Sequence, residues 1–213
     1  MPPTSVAWFV DGAFLFKCWN KLGRTDTLDY LKLRQYLVSK YCDPDTKEVI
    51  DEAYYFNADP DPPTAKTNAF HNALAYPPPN GPGLRVKLYW LQKRQLYWPP
   101  GLGGNPVVHP QSGQHYELTQ QKGVDVGLAF HLMRSFARRA WRKLFLGAGD
   151  SDFHEVVQHL VESENVNLTL IGNMDSISEE LRPYASDIVP LDQVAGQMSR
   201  PRPAGGGHSE PKN

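Results

Sequence analysis

The chain has 213 residues, a length that suits one domain with appendages, and 40% of them are hydrophobic, enough for a buried core. Its net charge of −1 excludes a global pull toward nucleic acid or membrane, so any anion binding must come from a local patch. Cys18 and Cys42 lie far apart without metal-ligand spacing, which argues against a disulfide scaffold or a zinc module and fits a reducing compartment.

The first apolar run, Val6–Val10, reads as a buried strand ending at Asp11-Gly12. It is too short for a signal peptide or a membrane span, so a soluble cytoplasmic protein with no membrane partner is expected. Ala13–Lys21 and Thr27–Val38 follow as helices, the second on the spacing of Leu28, Leu31, Leu33 and Leu37. Glu52–Asn57 is an aromatic strand, stopped by "DPDPPT", and Lys66–Ala75 is a helix stopped by "YPPPNGPG". Leu84–Leu91 alternates like a strand, and Tyr97 to Gln114 is rich in Pro and Gly and reads as an exposed loop. Gly123–Arg139 is a helix with Leu128, Leu132, Phe136 and Ala140 recurring every four residues on one face. A strand at Leu144–Ala148, a helix at Phe153–Glu164 and a strand at Val166–Ile171 come next. A short helix at Glu179–Ala185 and a last strand at Ile188–Leu191 complete the domain, expected to span 1–192. From Val194 the composition turns to Gly, Pro and Arg, and a disordered tail over 193–213 is expected.

Apolar strands separated by amphipathic helices predict an α/β fold, a mostly parallel central sheet covered by helices on both faces. Ligands in such sheets sit beyond the carboxyl ends of the strands, where the strand order reverses. The first strand is followed by "VDGAFLF", without the GxGxxG of a dinucleotide site.

Four acids compete for that place. Asp11 ends the first strand, Asp150 and Asp152 follow Leu144–Ala148, and Asp125 opens a helix on its sheet-facing side. Each has a plain structural alternative. Asp11 can sit in a turn, Asp152 can cap a helix with Glu155 at capping-box spacing, and Asp125 can favour a helix dipole. Together they repel one another unless protonated or neutralised by a cation. Mg²⁺ or Mn²⁺ prefers such carboxylates and suits phosphodiester hydrolysis.

The segments "WFVDGAFL", "QKGVDVGLAFHL", "LGAGDSDFHEVVQHL" and "SISEELRPYASDIVPL", in order across most of residues 5–192, resemble the blocks of the NYN domain, the LabA-like branch of the PIN-like nuclease superfamily. The resemblance implies a Rossmann-like three-layer α/β/α sandwich and metal-dependent cleavage of RNA, with Asp11, Asp125, Asp150 and Asp152 as the acidic metal site. The chain departs from the pattern at Ala13-Phe14, where the family often has Asn, and at His131, where it commonly has another Asp. The helical projection puts His131 on the face of Arg134 and Arg138, and a plain exposed histidine is expected there.

Two stretches could hold the nucleic acid. Arg134, Arg138 and Arg142 step by four residues, with Arg139 and Lys143 beside them, as a phosphate-gripping stripe or a solvated face. "RVKLYWLQKRQLYW" interleaves Arg85, Lys87, Lys93 and Arg94 with Tyr89, Trp90, Tyr97 and Trp98, which suits stacking on single strands or a strand core. Lys122 is placed to touch a phosphate or balance the acids, and His109 and His115 rim the site or are merely exposed. Ser176 with Glu179 has capping-box spacing, while Ser178 is placed to fix the loop carrying Ser151 from across the crevice.

Ser151 within "GDS" invites a serine-hydrolase reading, but its downstream histidines are His154 and His159 on the next helix and His208 in the tail. A metal-dependent ribonuclease leads. An RNA-binding protein that keeps the fold and no longer cuts is the alternative, carried by His131. A DNase or phosphatase is a third reading, and a homo-oligomer is left open.

Overall fold

The structure, a computed structural model, describes residues 4–59 and 62–201. The strands and helices run in the order β1 (Ser5–Asp11), α1 (Gly12–Lys21), β2 (Thr27–Leu28), α2 (Tyr30–Tyr41), β3 (Val49–Asp59), α3 (Ala65–Ala75), β4 (Arg85–Gln95) and β5 (Glu117–Gln121). They continue with α4 (Val124–Arg139), β6 (Lys143–Gly147), α5 (His154–Gln158), β7 (Asn167–Gly172), β8 (Asp187–Pro190), α6 (Leu191–Val194) and β9 (Ser199–Arg200). A π turn, His159–Ser163, extends α5.

Val6 to Val10 of β1 are all fully buried because the strand lies in the middle of a sheet covered on both sides. Pleating sends Trp8 to one face and Phe9 to the other. Trp8 joins a core with Leu15, Leu33, Leu37, Leu74 and Leu191, from α1, α2, α3 and α6. Phe9 joins a second core with Leu128, Leu132, Phe153, Val157 and Leu160, from α4 and the α5 segment. The result is the expected three-layer α/β/α sandwich.

The large sheet has seven strands in the order β5-β4-β3-β1-β6-β7-β8. Neighbours from β4 to β8 are parallel, and β5 alone runs antiparallel, against β4. The chain moves outward from β1 through β3 to β4, returns by α4, and moves the other way through β6, β7 and β8. The order therefore reverses between β1 and β6, whose carboxyl ends flank a crevice.

Four expectations change. Thr27 and Leu28 are strand, because the Asp29 side chain accepts the N–H groups of Leu31 and Lys32 and so starts α2 at Tyr30. Glu179–Ala185 is not a helix but a bend with one 3-10 turn at Arg182–Tyr184, with Pro183 inside it, so Ser176 and Glu179 form no capping box there. The stretch between the expected loop at Tyr97–Gln114 and α4, for which no element was expected, contains a strand, β5, that its polar sequence "ELTQQ" hid. Residues 194–200, expected as the start of a loose tail, finish α6 and pair β9 with β2, with Met198 fully buried. Residues 202–213 of the expected tail lie outside the described residues.

Candidate functional site

Three separate segments deliver the acids to the crevice. Asp11 is the last residue of β1, Asp150 and Asp152 follow β6, and Asp125 sits in the first turn of α4. Asp11 also caps α1: its Oδ1 accepts the N–H of Ala13 at 2.9 Å and of Phe14 at 3.1 Å. Asp150 Oδ1 accepts the N–H of Asp152 at 3.1 Å and starts a 3-10 turn at Ser151–Phe153. The structural and functional readings of these acids are therefore not exclusive, since each cap uses one oxygen of a two-oxygen group.

Their fields overlap. Burial pushes the Asp11 carboxyl up; the Phe14 N–H opposes this, and Asp125 adds to it. Burial also raises Asp125, followed by the negative charges of Asp150 and Asp152. Lys17, on α1, pulls both acids down. It was absent from the sequence reading, and no local pattern marks it, because its relevance depends on how α1 leaves β1.

The donor set fits a hard dication: Asp11 and Asp125 are each raised by neighbouring carboxylates, so the negative charge here is under-neutralised. Among the described residues, however, no three His, Cys, Asp or Glu side chains stand close enough together to hold an ion as they are oriented. The acids share one end of the sheet without forming one coordination sphere. Gly149 lets this loop approach its neighbours, since a Cβ there would meet Phe14 and the Ser176 carbonyl. The Ser178 N–H donates to the Gly149 carbonyl at 2.8 Å, a backbone contact between the segment after β7 and the loop after β6. Its hydroxyl is buried without a hydrogen-bond partner among the described residues. Ser151 is exposed at the start of the turn, and His154 faces the Tyr184 hydroxyl at 3.2 Å.

Beside Asp125 and Asp152 opens a groove of about 440 Å³ between α4 and α5, lined by Val126, Phe130, Met133 and Val156. Phe130 is 58% exposed at its edge, an apolar surface next to the acids.

The two basic stretches meet in a different place. Arg134, Arg138 and Arg139 of α4 and Arg85 and Lys87 of β4 line one pocket of about 330 Å³. His131 lines it as well, half-buried with its ring 5.7 Å from those of Tyr54 and Phe56, not exposed as expected. Arg142 leaves the stripe: α4 ends at Arg139, Ala140 turns the chain with φ 47°, and the Arg142 guanidinium donates to the Glu164 carbonyl at 2.8 Å. Lys143 pairs with Glu48 at 2.6 Å. Lys122 is exposed just before α4, and neither His109 nor His115 lines this pocket or the groove. Trp90, Tyr97 and Trp98 are about half exposed on or beside β4, so they are not core. Sequence reasoning missed Glu52 and Tyr54 beneath the pocket, because "EAYYFN" announces a strand and not the partners of its acid.

Compared with known proteins, residues 5–192 match the family model of the NYN domain. No curated protein matches the chain. The crystal structure of a protein of unknown function from Vibrio parahaemolyticus superposes with a TM-score of 0.60 at 19% identity, covering 93% of this chain and 97% of that one. That likeness speaks to the fold.

Proposed function

The chain belongs to the NYN domain family, part of the PIN-like nuclease superfamily, and from that premise we propose that it hydrolyses RNA phosphodiester bonds with Mg²⁺ or Mn²⁺. The observation that carries this reading is the delivery of Asp11, Asp125, Asp150 and Asp152 to one end of the sheet, where the charge of Asp125 raises Asp11 and the charges of Asp150 and Asp152 raise Asp125. Asp11 and Asp150 are the main ligands in this reading, with Asp125 and Asp152 completing the shell. A divalent ion bound there supplies charge stabilisation to a phosphate undergoing hydrolysis. In this reading Lys17 tempers the charge of the carboxylates, and the exposed Lys122 contacts a strand phosphate. Phe130 and Val126 offer an apolar surface for a base beside the acids. Ser151 and Ser178 belong to the supporting loop and not to the reacting groups.

A second reading, an RNA-binding protein that does not cut, is favoured by the unconverged acids and by His131 lying with the basic residues. Incubating end-labelled single-stranded RNA with and without Mn²⁺ separates the two. The nuclease reading expects metal-dependent cleavage that Asp150→Asn lowers at least about a hundredfold. Tight RNA binding without turnover in Mn²⁺ supports the binding protein instead. Single-stranded DNA and a small phosphate ester as competitors distinguish a ribonuclease from a DNase or a phosphatase.

A further inference from the structure

The basic pocket is not part of the acidic crevice. The pocket shares no lining residue with the groove beside the acids, and its α4 residues, His131 to Arg139, lie six to fourteen positions past Asp125, about 9 to 21 Å along the helix at 1.5 Å per residue. Its floor is a built structure. Glu52 is buried, and both of its oxygens are taken. Oε1 faces Arg85 at 3.1 Å and Arg139 at 3.4 Å. Oε2 accepts the Tyr54 hydroxyl at 3.0 Å and the Ser135 hydroxyl at 2.9 Å. The Trp141 indole N–H donates to the Ser135 oxygen at 3.1 Å, and Arg85 donates to the Tyr54 oxygen at 2.8 Å.

This carboxylate is therefore a scaffold that fixes two guanidiniums, each half exposed. Arg85 is also held through Nη2, which donates to the Asp51 carbonyl at 3.2 Å, but a guanidinium carries five donors, so these contacts do not exhaust them. Lys87, Arg134 and Arg138 complete the walls and have no acidic partner among the described residues. Five cations thus surround one carboxylate whose lone pairs are spent. His131 registers the field: burial lowers its pKa, and Lys87 and Arg134 lower it further.

An anion with several acceptor oxygens answers that excess, and Arg side chains bind phosphate through paired hydrogen bonds. A phosphomonoester carries close to two negative charges at neutral pH, against one for a backbone diester. The pocket volume of about 330 Å³ is within the range of small-ligand sites. We propose that this pocket is a separate site for a phosphomonoester, carried either by the phosphorylated end of a nucleic-acid strand or by a free mononucleotide. The site stands whether or not the acids cleave RNA.

The test measures binding to the full chain without divalent metal, using an RNA octamer with a 5′-phosphate, the same octamer with a 5′-hydroxyl, and a nucleoside 5′-monophosphate. The phosphorylated octamer is expected to bind about tenfold tighter than the hydroxyl form. Arg134→Ala with Arg138→Ala is expected to erase that preference. Both side chains are exposed and unpaired with acids among the described residues, so the variant should fold with an essentially unchanged melting temperature. Asp150→Asn is expected to keep the preference, which separates this site from the nuclease reading. A monophosphate that competes as well as the phosphorylated octamer assigns the free nucleotide, and a much weaker one assigns the strand end. Equal binding of the two octamers overturns the proposal. So does a preference that survives the double substitution, or an equal loss for both octamers, which marks diffuse backbone contact.

Discussion

At the scale of single residues, Glu52 shows how charge and burial are reconciled. Burial pushes its carboxyl up, and the hydrogen bonds from Arg85, Ser135 and Tyr54 outweigh this and hold it below the usual range. A depressed folded pKa means its stabilising contribution is present above the unfolded value of 4.5 and is lost as pH falls through the folded value. Glu52→Gln should therefore flatten the acid-unfolding curve below that pH, at a cost near neutrality of about 1–2 kcal/mol. Replacing Arg85 and Arg139 together by Ala should cost more, about 3 kcal/mol, because it strands a buried carboxylate without a cation. Denaturant titration of the variants against wild type checks the order. An equal effect of the two changes would mean that the guanidiniums do not compensate the buried charge.

Among the elements, α4 serves both ends of the molecule. Its first turn presents Asp125 to the crevice, and its later turns present Arg134 and Arg138 to the basic pocket. Gly127 sets its seat on the sheet, because a Cβ there would collide with the Tyr89 ring of β4. Gly127→Ala is expected to cost about 1–3 kcal/mol by overpacking and to disturb both sites. The helix ends where Ala140 takes φ 47°, a left-handed conformation that disfavours a Cβ. Ala140→Gly should stabilise the protein by about 0.5–1 kcal/mol, read as a raised melting temperature with unchanged RNA binding. The end at Arg139 was legible, but the four-residue step from Arg138 to Arg142 suggested a basic stripe running past it, and the backbone abandons that step at Ala140. The Arg134–Arg138 step was legible, since it lies within one helix. Its meeting with Arg85 and Lys87 was not, because that depends on β4 lying beside β3.

On the scale of the whole molecule, the topology explains why the acids come to one end of the sheet. Apolar runs such as Val6–Val10 and Leu144–Gly147 made the central strands readable, and the order reversal between β1 and β6 places Asp11 and Asp150 at neighbouring strand ends. What stayed hidden was polar and peripheral, like β5 and β9, which form by pairing with an existing strand and carry no apolar signature. How the acid side chains turn was also hidden, since caps at Asp11 and Asp150 are decided by local N–H groups. The crevice leaves a thermodynamic mark. Asp11 and Asp125 have raised folded pKa values, so without metal they favour the fold when protonated and lose that contribution as pH rises through those values. Asp125→Asn should raise the metal-free melting temperature at pH 7 by a few degrees at most, given its partial exposure. Mn²⁺ should stabilise wild type at pH 7 and progressively less as the pH falls and protons compete for these carboxylates.

The most direct measurement is a Mn²⁺ titration of the wild-type chain followed by electron paramagnetic resonance, repeated on Asp11→Asn and Asp150→Asn. Saturable binding that weakens at least about tenfold in each variant is the expected result. No binding below millimolar Mn²⁺ in wild type, or equal binding in all three proteins, would contradict a metal centre at the junction of β1 and β6.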